Sequence, residues 1–436
     1  MIPPFPLSPA LAAELLSQYG SPLYVYDRDR LQATLHHITT AFSYPHTHFH
    51  FASVTNGNLS LLKIFQQHGW GLHANTPGDI YLGLQAGFHP RQIVYSGSNL
   101  NQTEMTQVLA WGIRTLNLDS ISQLELLCKI FTSPPSPLLP FSPTPSPQPL
   151  TPNSLHLGLR LNHPPLTGDS RIGVRPEEFS TAIALAQSVG LTISGLHFYR
   201  GTGTNATKAF TQVMDEVIDL AQHLPDWQYL DFGGGFGYPY HPDGAAFDWQ
   251  EFGQQLSDRL HKLSRPIDLL IEPGRAAIAG CGTLLCQVVS VKWHDHKQIV
   301  GTDTTVANLS VPAVHGSYRK ILPLHPFSPN LYSPTPTPHF PTDICGNTTY
   351  SRDYLGRNCH LPKLQPGDML AVLDVGAYGY AMASHFLHRP RPAEVLLEHG
   401  SHRLIRQRED YNVLLANQIG ENLGGLSVNT GDYGLD

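Results

Sequence analysis

The chain has 436 residues, enough for a (β/α)8 barrel of about 250 residues and a further domain. Its 27 lysines plus arginines against 34 aspartates plus glutamates leave a net charge of −7, and without a Lys/Arg-rich run the chain lacks the footprint of a nucleic-acid partner. No stretch reaches the roughly 18 apolar residues of a membrane span, and residues 1–20 carry neither a basic start nor a continuous apolar stretch, so a soluble, cytoplasmic protein is expected.

The first strand-like segment is LYVYD at 23–27. From there, short apolar or alternating runs recur at 48–53, 70–74, 93–96, 115–119, 156–162, 193–199, 228–233 and 268–272, each with the pattern of a strand. Most of the gaps carry helical periodicity, as at 59–68, 77–86, 102–111, 176–189, 207–223 and 249–263, with Gly69, Gly87, Gly112 and Gly190 at C-terminal stops. Eight strands alternating with helices over about 230 residues predict a parallel (β/α)8 TIM barrel; a doubly wound sheet would have fewer strands and an early glycine-rich nucleotide turn.

After Glu272 the pattern changes to strands with few helices between them, at 283–292, 298–302, 369–374, 393–398 and 402–408. An antiparallel β domain is expected there, joined by the strand at 23–27. The implied division is an N-terminal segment at 1–36 belonging to the β domain, a barrel at 37–280, and the β domain at 281–436. The 37 prolines, about 8% of the chain against an average near 5%, are concentrated in two Pro-rich stretches, 132–154 and 323–342. Both read as surface insertions too rich in proline and serine to build a strand ladder, and as spacers before docking motifs. Cys128, Cys281, Cys286, Cys345 and Cys359 include no CxxC pair, so reduced thiols and no metal site are expected.

Barrel enzymes keep their reacting groups at the C-terminal strand ends. Here those positions are Val54, His73, Ser96, Asp119, Arg160 with Asn162, His197 with Tyr199, Asp231, and Glu272. Gly233, Gly234, Gly235 and Gly237 directly follow a strand, where they can cup a phosphate or simply make a tight turn. IEPGR sets Glu272 at the last strand end with Arg275 three residues on, a pair suited to a cationic ring nitrogen and a phosphate, or to an ordinary ion pair. YRGTGT at 199–204 offers an aromatic face and a second glycine turn with a hydroxyl.

These motifs, with PLYVYD at 22–27, DVGAYGYAMASHF at 374–386 and RPAEVL at 391–396, resemble the fold-type III pyridoxal-phosphate decarboxylases, above all diaminopimelate decarboxylase, with ornithine and arginine decarboxylases as relatives. The resemblance implies a barrel that binds pyridoxal phosphate, a C-terminal β domain, and a homodimer with sites at the interface. It places Gly233, Gly234, Gly235, Thr202, Arg275 and Tyr378 around the phosphate and Glu272 at the ring nitrogen. Tyr199 would lie against the ring where the family usually has histidine, with His197 and Arg160 lining the pocket.

The chain departs from that pattern where the chemistry would occur. The family's Schiff-base lysine corresponds to Val54 in FASVTNGN, and a valine can neither form an imine nor move a proton. Lys63, the nearest candidate, falls in the following helix and should point away. An acid at the next strand end corresponds to His73; the cysteine and acid that reach across the dimer correspond to Thr349 and Tyr350; a substrate-binding arginine corresponds to Val311, with His315 at a tyrosine position.

Cofactor contacts are thus retained while reaction contacts are changed. The resemblance then implies a protein that binds pyridoxal phosphate, or an adduct of it, non-covalently. Its expected activity is that of an amino-acid decarboxylase or lyase not specific for diaminopimelate, acting on a small amino acid or amine, with His73 and then His197 as candidate proton carriers. A catalytically inactive pseudoenzyme with a regulatory or cofactor-holding role is the alternative, and a nucleotide- or sugar-phosphate-binding barrel rests on the phosphate cup alone.

Overall fold

The computed structural model describes residues 7–132, 155–168, 170–201, 203–324 and 338–419. The opening strand is β1 (Leu23–Asp27), and eight strands then follow at the predicted places. They are β2 (Thr47–Ala52), β3 (Gly71–Ala74), β4 (Ile93–Tyr95), β5 (Thr115–Leu118), β6 (His156–Arg160), β7 (Ile193–His197), β8 (Tyr229–Asp231) and β9 (Asp268–Ile271). Each pairs in parallel with its successor, and β9 closes on β2 through Thr47↔Leu269 and Phe49↔Ile271. The expected (β/α)8 barrel is therefore present.

Its helices start where side chains satisfy the first free amides. Thr76 and Asp79 cap Pro77–Ala86 reciprocally, and Asn101 and Glu104 do the same for Gln102–Ala110. Trp249–Leu260 buries Trp249, Phe252, Leu256 and Leu260, one face at helical spacing, against the barrel. The helix expected over 207–223 is two pieces, Thr207–Thr211 and Met214–Gln222; the first buries Phe210 and the second Met214, Val217 and Ile218.

The barrel interior is polar along part of its axis. Tyr229 crosses it, and a Cβ added to Gly195 would lie 2.0 Å from its ring, so only glycine leaves room there. Its hydroxyl donates to Asn117 Oδ1 at 2.9 Å, and Asn117 Nδ2 donates to Asp231 Oδ2 at 2.8 Å and to Ser96 Oγ at 3.0 Å.

The second body is a nine-stranded sheet. It contains β1, β10 (Gly282–His294), β11 (Lys297–Thr302), β12 (Ile321–Leu324), β13 (His339–Cys345), β14 (Tyr354–Pro362), β15 (Met369–Leu373), β16 (Ala393–Glu398) and β17 (Ser401–Arg406). The strand at 23–27 joins it as expected, antiparallel to β10 and parallel to β16. The sheet is mixed rather than purely antiparallel, because β11 also runs parallel to β13. Such pairs join strands far apart in sequence, across the whole barrel in the case of β1, and hairpin-scale patterns cannot reveal them.

A second correction concerns the proline-rich stretch at 323–342, whose ends do build ladders: Pro323 pairs Leu370 and Pro341 pairs His360. Among the described residues β12 pairs with β15 alone, and Pro341 lies beyond the stretch of β13 that β11 flanks, so neither missing amide proton interrupts a doubly paired strand there. Residues 325–337, and 133–154 of the other insertion, lie outside the described residues.

The two bodies are pinned by Glu394, fully buried on β16. It accepts from Tyr26 Oη at 2.6 Å, from Asn58 Nδ2 at 2.7 Å, and from Arg406. Among the described residues no helix is long and apolar enough to cross a membrane.

Candidate functional site

The C-terminal strand ends open into a cavity of about 290 Å³ whose wall contains most of the residues singled out from sequence. Val54, His73, Arg160, His197, Tyr199, Gly234, Gly235, Glu272, Arg275 and Tyr378 all line it. Val54 lies on the turn Ser53–Thr55 directly after β2, with 44% of its surface open. Lys63 is exposed on Leu59–Gln67, as expected. All lysines of the chain lie among the described residues, and none lines this cavity.

Some expected residues stand elsewhere. Thr202 lies outside the described residues. Gly233 is not in the wall; its amide donates to Asp231 Oδ1 at 3.0 Å and so holds the turn. Asp119 accepts from Ser98 Oγ at 2.5 Å, and Asn162 donates to the Ser170 carbonyl at 2.9 Å, so these two anchor loops. Val311 is buried at the start of Val311–His315, while Thr349 and Tyr350 are exposed, Tyr350 packing edge-on against Phe386. None of the three lines the cavity of their own chain.

Residues missed from sequence include Asn75, Ile172 and Phe236 in the wall, and Asn117 and Tyr229 beneath it. Asn117 had a signal: it is the polar residue at an alternate position of TLNL, on a strand of a closed barrel.

The electrostatic centre is a buried carboxyl pair, Asp231 and Glu272, with two buried histidines beside it. His197 Nε2 and His73 Nε2 stand 3.4 and 3.5 Å from Glu272 Oε2, too far for good hydrogen bonds. Burial lifts Glu272 to about 7, and burial followed by repulsion from Glu272 lifts Asp231 well above the usual carboxylate range. Burial drives His197 down to about 4 and His73 well below its ordinary value, with His197 and Arg160 pushing His73 further the same way. At neutral pH both imidazoles are therefore uncharged, and their contacts with Glu272 are not ion pairs. An unperturbed imidazole titrates near pH 6.5, and the loss of water around these two moves both below that. His197, Asp231 and Glu272 bring ligand atoms within 4.8 Å of one another.

Two features test what this wall can hold. Glu272 Oε1 is buried without a hydrogen-bond partner among the described residues, an acceptor waiting for a cationic N–H. The loop after β8 is a cradle: a Cβ on Gly235, whose φ is +95°, would meet the Gly201 carbonyl at 2.1 Å. Arg275 stands beside it, its guanidinium 5.2 Å from the centre of the Tyr378 ring, and Tyr378 itself holds a left-handed φ of 57°. Arg160 lies 5.1 Å from the centre of the Tyr199 ring, giving a flat cationic-aromatic face.

Fold and cavity together define a class: a barrel-and-sheet protein whose strand ends suit a phosphorylated aromatic with a basic ring nitrogen. Residues 28–279 match the family model described as pyridoxal-dependent decarboxylase, pyridoxal binding domain. The chain is 32% identical over 432 residues to diaminopimelate decarboxylase of Methanothermobacter thermautotrophicus, covering 93% of this chain and 94% of that one. It is 31% identical over 415 residues to that of Vibrio cholerae, with the same coverage. Among solved structures, diaminopimelate decarboxylase from Helicobacter pylori complexed with L-lysine matches with a TM-score of 0.77 at 26% identity, covering 92% of this chain and 98% of that one. The chain belongs to the fold-type III pyridoxal-phosphate decarboxylase family and is diaminopimelate decarboxylase-like.

Proposed function

We propose that this chain holds pyridoxal phosphate without a covalent lysine and acts as a carbon–carbon lyase of the amino-acid decarboxylase type that is not specific for diaminopimelate. The observation that carries the reading is the cavity wall at Val54: the groups suited to the phosphate and ring nitrogen converge there, and no lysine does. Arg275, Tyr378, Gly234 and Gly235 would hold the phosphate, Glu272 the ring nitrogen, and Tyr199 one ring face. When bound, the cofactor supplies an electron sink for breaking a bond at the α-carbon of an amino acid.

The chain's own residues position and move protons. Glu272, balanced near neutrality, ionises readily against a cationic nitrogen, while burial and the nearby Glu272 push Asp231 toward its protonated form. His73, neutral through burial, can accept a proton at Nε2 and release it again, with His197 as the second carrier. Val311, where the resemblance implies a substrate arginine, favours a small amino acid or amine without a distal carboxylate. The exposed Thr349 and Tyr350 suit a homodimer whose sites meet at the interface. Val54, in place of a Schiff-base lysine, also supports a second reading, a cofactor-holding pseudoenzyme.

The test is an absorbance titration with pyridoxal phosphate, with and without borohydride, on the natural chain and on Val54→Lys. Saturable binding that borohydride leaves non-covalent in the natural chain and makes covalent in Val54→Lys is the expected result. A borohydride-trapped adduct in the natural chain, or no binding, overturns the proposal. Amino acids are then screened for carbon dioxide release, which His73→Ala should lower by about 100-fold. Binding with no release from any of them leaves the pseudoenzyme.

A further inference from the structure

Outside the cofactor cavity, three arginines gather beside a groove of the β domain. The groove, of about 610 Å³, runs between residues 312–319 and 351–359, with His241 at its edge, and it shares no lining residue with the cavity of Glu272. Three arginines line it, Arg319, Arg352 and Arg357, and no aspartate or glutamate does.

Arg319 is the anchor. It is 3% exposed, its guanidinium lies 3.7 Å from the centre of the Tyr240 ring, and Nη1 donates to Ser317 Oγ at 2.8 Å and to the Tyr318 carbonyl at 2.7 Å. Its Nε is buried with no acceptor, and among the described residues no carboxylate comes within ion-pairing distance. Arginine is rarely buried unless paired, so this one is half of an interaction. Burial weakens its hold on its proton and Arg275 across the Tyr240 ring pushes the same way, while Tyr240, Asp374 and Tyr24 offset part of this, so negative charge added from the groove would complete the compensation.

Arg352 is exposed and its side chain has no partner among the described residues, whereas Arg357 stacks 4.3 Å over the Tyr354 ring. His241 and Tyr318 stack with centroids 4.1 Å apart and make a flat wall. In a chain of net charge −7, an acid-free groove with three arginines concentrates positive potential locally. Guanidinium forks bind phosphate and carboxylate groups in pairs of hydrogen bonds. We propose that this groove is a second ligand site, which takes a small molecule carrying two or more phosphate or carboxylate groups.

The probes are inorganic pyrophosphate and citrate, titrated calorimetrically into the full chain without pyridoxal phosphate. A saturable site that persists when Arg275→Gln disables the cofactor cradle is expected for at least one probe; preference for pyrophosphate or for citrate separates phosphate from carboxylate recognition. Affinity should fall at least tenfold in the double variant Arg352→Ala, Arg357→Ala, both of whose side chains are exposed, and change less than twofold in Arg275→Gln. Arg319→Gln should abolish binding; if it fails to fold, the double variant still decides. Absence of saturable binding overturns the proposal. So does loss in Arg275→Gln with retention in the double variant, which would put the anion in the cofactor cavity. Sedimentation showing that the double variant dissociates a dimer that binds neither probe would make the groove a contact between two copies, and would overturn it as well. None of these readouts requires the chain to bind pyridoxal phosphate.

Discussion

Asp268 and Glu272 sit at opposite ends of β9, each with two histidines in reach, and they end in opposite states. At the N-terminal mouth, the Asp268 side chain is 56% exposed, with His48 Nε2 at 3.3 Å and His46 Nδ1 at 3.8 Å. At the C-terminal mouth, Glu272 is 3% exposed, with His197 and His73 at 3.4 and 3.5 Å. The hydrogen bond from His48 holds Asp268 below the usual carboxylate range, whereas burial lifts Glu272 to about 7. Residue types and spacings are alike at the two mouths, and water access differs. A carboxylate that keeps its water is satisfied by neighbours of any kind; one stripped of water and left with an unmet oxygen is poised for a cationic ligand.

The largest expected effect separates the two ends by ligand affinity. Glu272→Gln should weaken pyridoxal phosphate binding by about 100-fold, near 3 kcal/mol, through loss of a charge-assisted hydrogen bond, while Asp268→Asn should leave it unchanged in the same absorbance titration. The same variant should act on stability with the opposite sign. In the unliganded protein, Glu272 holds its proton up to about pH 7, whereas the unfolded chain releases it near 4.5, so stability falls as pH rises through that window. Glu272→Gln should therefore be more stable than the natural chain by about 2–3 kcal/mol at pH 8 and nearly equal at pH 4.5, read by urea denaturation.

His197 gives the mirror image. Its folded value of about 4 lies below its ordinary value, so the unfolded chain takes the proton first and stability falls as pH drops from about 6.5 toward 4. His197→Gln should flatten that acidic limb of the same denaturation series. Tyr229→Phe, which leaves Asn117 Oδ1 buried without its donor, should cost about 1–3 kcal/mol in urea denaturation at pH 7. Asp268→Asn is the smallest change, within about 0.5 kcal/mol, because exposed pairs are screened by water and salt. A larger loss there would mean that burial is not what distinguishes the two mouths.

Much of the site was legible because a barrel collects strand ends: once the period of strands and helices was read, His73, Arg160, His197, Tyr199 and Glu272 had to share one rim. The glycines of the loop after β8 were legible as a cradle but not individually; that Gly233 serves Asp231 while Gly234 and Gly235 face the cavity depends on backbone direction within a three-residue turn. In the sheet, β12, β13 and β14 escaped notice because proline at their ends masked the strand pattern, and edge positions tolerate it. Arg319 carried no sequence signal at all, since an isolated arginine reads the same whether exposed or buried on Tyr240.

The sequence by itself determined the succession of eight strands and helices, the strand-rich last third, and the valine at the end of β2, because periodicity and residue identity are local properties. Only the tertiary structure decided that β1 lies parallel to β16, that Glu394 pins the sheet to the barrel, that His73 and His197 are neutral, and that Arg319 faces a groove without an acid. Those outcomes depend on which distant segments exclude water from one another, and that is fixed when the chain closes on itself rather than by any stretch of it.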